Sequence, residues 1–233
     1  MNIALLGYGR MGKSIEAIAL QRNHGITLKI FDDTCEYDFS NTDVAIDFSI
    51  PTVAVKNIKK ALDAGVPVIS GTTGWLDQYN DVLEYCNSKN GTFLYASNFS
   101  LGVNIFFEIN KKLSELMSGF KDYNTQIEEI HHTQKLDAPS GTAISLAEQI
   151  IENTDYNHWT LDESKLDEIY IDAKRIEGVP GTHDVTYNSE IDAISIKHTA
   201  HNRQGFAMGA VIAAEWIKDK KGIFSMKDVL NIG

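Results

Sequence analysis

Met1-Asn2-Ile3-Ala4-Leu5-Leu6-Gly7-Tyr8-Gly9-Arg10-Met11-Gly12 opens the chain, and its reading decides the fold. Residues 2–6 are a short apolar run that passes straight into Gly7-x-Gly9-x-x-Gly12. A helical pattern follows in Ile15, Ile18, Ala19 and Leu20, and residues 26–31 read as a second strand. Strand, glycine turn, helix and strand make one βαβ unit. The three glycines serve different ends. Gly7 permits the tight turn, Gly9 lets the backbone approach a diphosphate, and Gly12 lets helix and strand pack closely. Tyr8, Arg10 and Met11 lie between them, in the loop that would hold the diphosphate. A diphosphate there faces free N–H groups and the positive end of the helix dipole.

The glycine pattern alone arises by chance. Its place between a strand and a helix, with the acidic Asp32 twenty residues beyond Gly12, makes it a dinucleotide site. A carboxylate at Asp32 accepts hydrogen bonds from both ribose hydroxyls and repels a 2′-phosphate, which favours NADH over NADPH. Arg10 and Lys13 offer cationic compensation in the loop and first helical turn.

Working outward, residues 44–48 form a third strand and 52–64 a helix stopped at Gly65, the glycine expected at C′. A fourth strand, 66–70, runs into Gly71-Thr72-Thr73-Gly74, and helix 77–89 and strand 92–96 complete the series. The expected fold is α/β: an N-terminal Rossmann-type, doubly wound parallel sheet. After Asn98 the alternation stops. A helix over 102–118, a strand over 124–131 and a helix over 141–152 precede a polar stretch, 153–168. Runs at 169–176, 182–188 and 192–199 then follow without helices between them, which predicts a second α+β domain with a mixed or antiparallel sheet. The apolar helix 205–218 packs back onto the first domain. The expected division is 1–98 plus 203–233 for dinucleotide binding, and 99–202 for substrate binding and oligomerisation.

The 233 residues carry a formal net charge of −11, with 43% hydrophobic and 23% charged residues. That disfavours nonspecific nucleic-acid binding, which needs Lys and Arg to neutralise phosphates. An acidic chain binds an acidic substrate only through a locally cationic pocket. Cys35 and Cys86 are the only cysteines, and neither a disulfide framework nor a metal spacing is present. No metal is therefore expected. No apolar run approaches the ~20 residues of a membrane span, and the N-terminus lacks a charged n-region and cleavage site. A cytoplasmic location is expected.

The cationic pocket is found in one segment. His131 and His132 close a strand, Lys135 follows in a loop, and Asp137-Ala138-Pro139-Ser140-Gly141-Thr142 opens a helix. Ser140 suits an N-cap, and the amides after it form an anion site. Two imidazoles, an ammonium and a helix N-terminus within a dozen residues match a dianionic carboxylate substrate plus a proton donor.

Here the sequence closely resembles the dihydrodipicolinate reductase family over nearly its whole length. The matching blocks are Gly7–Gly12, Ile46-Asp47-Phe48-Ser49, Gly71-Thr72-Thr73-Gly74 and Ser97-Asn98-Phe99-Ser100-Leu101-Gly102-Val103-Asn104. The long signature His131-His132-x-x-Lys135-x-Asp137-Ala138-Pro139-Ser140-Gly141-Thr142 is the most specific, and residues 203–210 resemble the block that returns the chain to the cofactor domain. The resemblance implies NAD(P)H-dependent reduction of 4-hydroxy-tetrahydrodipicolinate to tetrahydrodipicolinate in the diaminopimelate route to lysine. It implies His131 as general acid and Lys135 as its partner. His132, Lys135, Ser140, Gly141 and Thr142 would hold the substrate carboxylates. Gly71, Thr72, Thr73, Ala96, Asn98 and Phe99 would border the nicotinamide, and Phe48 would also bind the cofactor. Domain closure and a homotetramer formed through the second domain's sheet are implied as well.

The chain is shorter than is typical of the family, the saving lying between Asp32 and Asp43, beside the adenosine ribose. Gly178-Val179-Pro180-Gly181-Thr182-His183 keeps a Gly-x-x-Gly-x-His pattern; His183, His198 and His201 receive no role. Two other readings compete. Another two-domain amino-acid-type dehydrogenase explains the first domain but not the His131–Thr142 run. A non-catalytic NAD(H)-sensing protein predicts decay of the catalytic residues, all of which are present.

Overall fold

The computed structural model describes residues 1–31, 36–162, 167–202 and 204–232. The chain divides into two units, Met1–Leu101 with Gln204–Gly233, and Gly102–Arg203.

In the first unit, β1 (Asn2–Leu6), β2 (Gly25–Ile30), β3 (Val44–Asp47), β4 (Val68–Ser70) and β5 (Thr92–Tyr95) join β11 (Gly222–Phe224) in one sheet. The order is β11-β5-β4-β3-β1-β2, and every pairing is parallel. Strand β1 is buried on both faces, which explains its unbroken apolar run. Its side chains alternate between two cores. Ile3 and Leu5 pack with α1 (Arg10–Gln21) and α6 (Gln204–Ile217). Ala4 and Leu6 pack with α2 (Pro51–Asp63) and α3 (Tyr79–Ser88). The sheet is thus covered on both faces, as the doubly wound reading requires.

Local signals set the helix ends. Pro51 occupies the first turn of α2, where its missing N–H costs nothing. Gly65 follows that helix at φ +70°, the left-handed stop. Helix α6 is buried nearly all round, at Ala207, Gly209, Ala210, Val211, Ala213, Ala214 and Ile217. Its close approach needs a glycine: a Cβ on Gly209 would overlap the Phe99 carbonyl.

In the second unit, β6 (Asn124–His131), β7 (His158–Thr160), β8 (Glu168–Arg175), β9 (Gly181–Asn188) and β10 (Ala193–Ala200) form a sheet of order β10-β9-β6-β8-β7. It is mixed: β10–β9–β6 run antiparallel, β6–β8–β7 parallel. Helices α4 (Leu101–Met117) and α5 (Gly141–Ile151) cover one face, packing Phe106, Leu146 and Ile150 on Ile127, Ile171 and Val185. The opposite face is polar, with Lys174 paired to Glu128 and Asp172 and Lys197 to Asp184.

Three short elements escaped the sequence reading. The polar stretch 153–168 contains β7, and residues beyond 218 form β11 and α7 (Met226–Leu230), which is fixed by a Ser225–Asp228 capping box.

Candidate active site

In the first unit the strand order reverses between β1 and β3. Loops leaving the carboxyl ends of neighbouring strands diverge there and open the crevice that binds ligands in such sheets. A cavity of about 330 Å³ lies at this point, lined by Gly7, Tyr8, Gly9, Phe31, Phe48 and Ser49, among others. Gly7 sits at φ +97°, and a Cβ on it would overlap the Phe48 carbonyl and lie 2.6 Å from Ser49 Cα. Gly12 is buried, and its Cβ would overlap the Gly7 carbonyl. Nothing lies within 4 Å of a Cβ built on Gly9, so that backbone faces open space where a diphosphate fits. Arg10 begins α1 and is exposed; Met11 is half-buried. Phe31 is 71% exposed and meets the Tyr8 ring edge-on at 4.9 Å. This lining suits a dinucleotide. Asp32, Cys35 and Arg203 lie outside the described residues.

Beneath the loops is a residue to which the sequence reading gave no role. Asp47, fully buried at the end of β3, accepts hydrogen bonds from Ser49 Oγ (2.6 Å), Ser70 Oγ (2.8 Å), Thr72 Oγ1 (2.8 Å) and Asn57 Nδ2 (3.3 Å). Burial drives its pKa up, the four donors pull it down, and the net direction is upward. The carboxylate thereby ties the Phe48–Ser49 and Gly71–Thr73 loops together, and Thr72 Oγ1 in turn accepts from Ser49 N (2.9 Å). Phe48 lies against Gly71, whose Cβ would overlap its ring, and its ring centroid is 5.6 Å from that of Phe99. Phe99 is only 1% exposed, so its ring belongs to the core. Ala96 N donates to Ser70 O (3.2 Å), and Asn98 Oδ1 accepts from Ser100 N (2.8 Å). Thr73 is exposed.

In the second unit the helix-covered face of the sheet changes character along β6. Ile127, Ile171 and Val185 are apolar; one step on, Glu129 stands opposite Ala173 and His183, and then His131 opposite Arg175. Glu129 is fully buried, yet both its oxygens are engaged: Oε2 with His131 Nδ1, and Oε1 with Ser140 N (3.2 Å) and Arg175 (3.0 Å). Burial pushes its pKa up, but the bonds from His131 and Arg175 prevail and hold it below the ordinary carboxylate value. His131 is 9% exposed and pinned by its backbone, its carbonyl accepting from Ile176 N (2.8 Å).

The loop after His131 is compact. Lys135 N donates to the half-buried His132's carbonyl (3.0 Å), and Lys135 Nζ to both Asp137 oxygens (2.9 and 2.7 Å). The Lys135 ammonium holds the Asp137 carboxyl below its usual pKa. Ser140, 2% exposed, is the N-cap of α5: its Oγ accepts from Ala143 N (3.2 Å) and lies 3.0 Å from His183 Nε2. Gly141 is exposed and Thr142 half-buried on the first turn of α5. The structure thus gathers His131, Ser140 and His183 around Glu129, with Lys135 in the adjoining loop. His198 packs instead against Phe106 (6.0 Å), and His201 is exposed. Glu129, His131 and His183 offer ligand atoms within 4.8 Å of one another. However, the Arg175 guanidinium and the Ser140 amide occupy Glu129 Oε1, so this donor set favours hydrogen bonding over a cation.

His183 is strongly perturbed. Burial, with a smaller contribution from the His131 charge, pushes its pKa down to about 3. It is neutral when folded, whereas the unfolded imidazole protonates near its ordinary value of about 6.5. Between about pH 6.5 and 3 the unfolded chain therefore binds more protons, and stability falls as pH is lowered through that window. Thermal unfolding should show Tm dropping from pH 7 to pH 5 in the wild type and a shallower drop in His183→Gln. Equal slopes would contradict the assignment.

Comparison with known proteins gives this arrangement a family. The sequence model described as dihydrodipicolinate reductase, C-terminus, matches residues 102–230, and its N-terminal counterpart matches residues 24–99. A 4-hydroxy-tetrahydrodipicolinate reductase from Christiangramia forsetii is 60% identical, covering 99% of this chain and 98% of its own. One from Methanosarcina acetivorans is 37% identical over 99% of this chain and 89% of its own. A dipicolinate-bound dihydrodipicolinate reductase structure from Paenisporosarcina sp. TG-14 shares the fold, with a TM-score of 0.75 at 21% identity over 97% of each chain. With both halves of the chain matched and a relative at 60% identity along its whole length, the chain belongs to the dihydrodipicolinate reductase family.

Proposed function

We propose that this chain is an NAD(P)H-dependent 4-hydroxy-tetrahydrodipicolinate reductase, working in the diaminopimelate route of lysine biosynthesis. The observation that carries the reading is the end of β6 and the loop after it: an imidazole bound to a buried carboxylate, an ammonium, and a capped helix N-terminus, all within residues 129–142. When bound, the reduced nicotinamide supplies the hydride. The residues of the chain supply the rest.

His131 is the general acid. Its proton leaves Nε2 for the reduced ring, the electron pair staying on the nitrogen, and the substrate's 4-hydroxyl departs as water, so that hydride, proton and lost water together give tetrahydrodipicolinate. Lys135 neutralises the charge that accumulates on the substrate as it is reduced, a stabilisation that grows toward the transition state. His132, Lys135, Ser140, Gly141 and Thr142 hold the two carboxylates, with the amides of the α5 N-terminus as the anion site. Gly7, Tyr8, Gly9, Arg10, Met11 and Gly12 hold the diphosphate. Phe48, Gly71, Thr72, Thr73, Ala96, Asn98 and Phe99 border the nicotinamide, Phe99 by its backbone since its ring is buried. We assign the protein to the cytoplasm as a homotetramer assembled through the exposed face of the second sheet. Among the described residues, no helix is long and apolar enough to cross a membrane.

Asp32 makes NADH the preferred cofactor. Supplied with substrate made in situ from aspartate semialdehyde and pyruvate by the upstream synthase, the protein should oxidise NADH with a higher kcat/KM than NADPH. A bias of about tenfold or more toward NADPH, equivalent to about 1.4 kcal/mol, overturns the role of Asp32. No oxidation of either cofactor overturns the reductase.

A further inference from the structure

His131 and Glu129 are two residues apart on β6, so the period-2 alternation of a strand puts them on one face. Each partner of the Glu129 carboxylate belongs to something the proposed chemistry uses. Oε2 takes His131 Nδ1; Oε1 takes the Ser140 amide at the start of α5 and the Arg175 guanidinium. Arg175 also donates to the Asp137 carbonyl (2.6 Å) and the Lys174 carbonyl (2.7 Å), tying the catalytic loop to β8. At the far side of the imidazole stands Gly181. A Cβ there would press to 3.1 Å from His131 Nε2, so the glycine keeps that nitrogen clear of a side chain.

We infer that Glu129 is the positioning residue for His131: its carboxylate holds Nδ1 as the hydrogen-bonded N–H and leaves Nε2 to deliver the proton. Arg175 keeps Glu129 in place. The inference rests on the general-acid reading of His131. A buried carboxylate at Nδ1 fixes both the tautomer and the orientation of the ring. The other titratable or charged groups around the ring are Arg175 on β8 and His183 on β9, with Lys135 and Asp137 on the following loop. His183 is neutral and its Nδ1 has no hydrogen-bond partner, so it does not substitute for Glu129.

The test is a kinetic double-mutant cycle on the full-length protein with Glu129→Gln, His131→Ala and the pair, together with NADH affinity and Tm. Glu129→Gln should lower kcat by about 10- to 100-fold, the scale for losing an orienting partner, with KM changed far less. Added to His131→Ala, the same substitution should cost almost nothing. Equal factors in both backgrounds, or a loss borne mainly by KM, overturn the inference. Normal turnover in His131→Ala overturns the general-acid reading instead. Should Glu129→Gln fail to fold, Arg175→Lys with and without His131→Ala decides: a fall in kcat that vanishes once His131 is gone supports the inference, and an equal fall in both backgrounds overturns it.

Discussion

Lys135→Ala and His131→Ala should each lower kcat by roughly 10²-fold or more, the usual scale for losing an acid–base group. The two variants should nevertheless differ. Among the described residues, the Lys135 ammonium pairs with Asp137, whose side chain is 62% exposed. An exposed pair of this kind contributes little to stability, so the ammonium is free to exchange Asp137 for a substrate carboxylate. Removing it also leaves the Asp137 carboxylate without its ammonium partner beside a dianionic substrate. KM should therefore rise along with the loss in kcat, while Tm stays close to wild type. His131→Ala removes the partner of a fully buried carboxylate. That leaves part of Glu129 without a hydrogen bond, a fault that lowers stability as well as rate. Its KM should change less. Steady-state kinetics beside thermal unfolding separates the patterns, and near-wild-type turnover in both variants would refute these roles.

Gly7→Ala should damage both fold and cofactor site. The residue sits at φ +97°, where a Cβ is strained, and the atoms that a Cβ would meet are the Phe48 carbonyl and Ser49 Cα. Neither is the end of a flexible side chain, so the β1 and β3 loops must part. Overpacking costs about 1–3 kcal/mol and the unfavourable backbone adds to it. For a chain of this length each kcal/mol lowers Tm by about 2–4 °C, so a drop of roughly 5–15 °C is expected. NADH affinity should fall at least about tenfold, equivalent to about 1.4 kcal/mol. Gly9→Ala provides the contrast. Its Cβ points into open space, so Tm should hold while NADH affinity falls, because the new methyl occupies the diphosphate's path. If Gly9→Ala binds NADH normally, the diphosphate does not lie on this loop.

The sequence made some of this legible and not the rest, for physical reasons. β1, its glycine turn and α1 were readable because each feature is local: a doubly buried strand is a continuous apolar run, and a tight turn needs glycine. The His131–Thr142 segment was readable because its cations and its N-cap lie within one loop. β7 and β11 have three residues each, too few for any periodicity to show. The Glu129 network was illegible for another reason. Alternation along β6 places Glu129 with His131, but register alone brings Arg175 and His183 beside them, from positions 46 and 54 residues further on. Asp47 poses the same problem, since its four donors come from three separate segments. A lone charge ending the apolar run Val44-Ala45-Ile46 was the one local signal that it is buried.

In the proposed reaction this chain reduces a cyclic dicarboxylate with hydride from a nicotinamide and a proton from His131. Turnover with cofactor deuterated at the transferable C4 position, followed by mass spectrometry of the product, tests it most directly. The expected result is a ring product that has lost one water and carries one cofactor-derived deuterium, formed at a rate that collapses in His131→Ala. Cofactor oxidation without deuterium in the product, or no substrate-dependent oxidation at all, would contradict it.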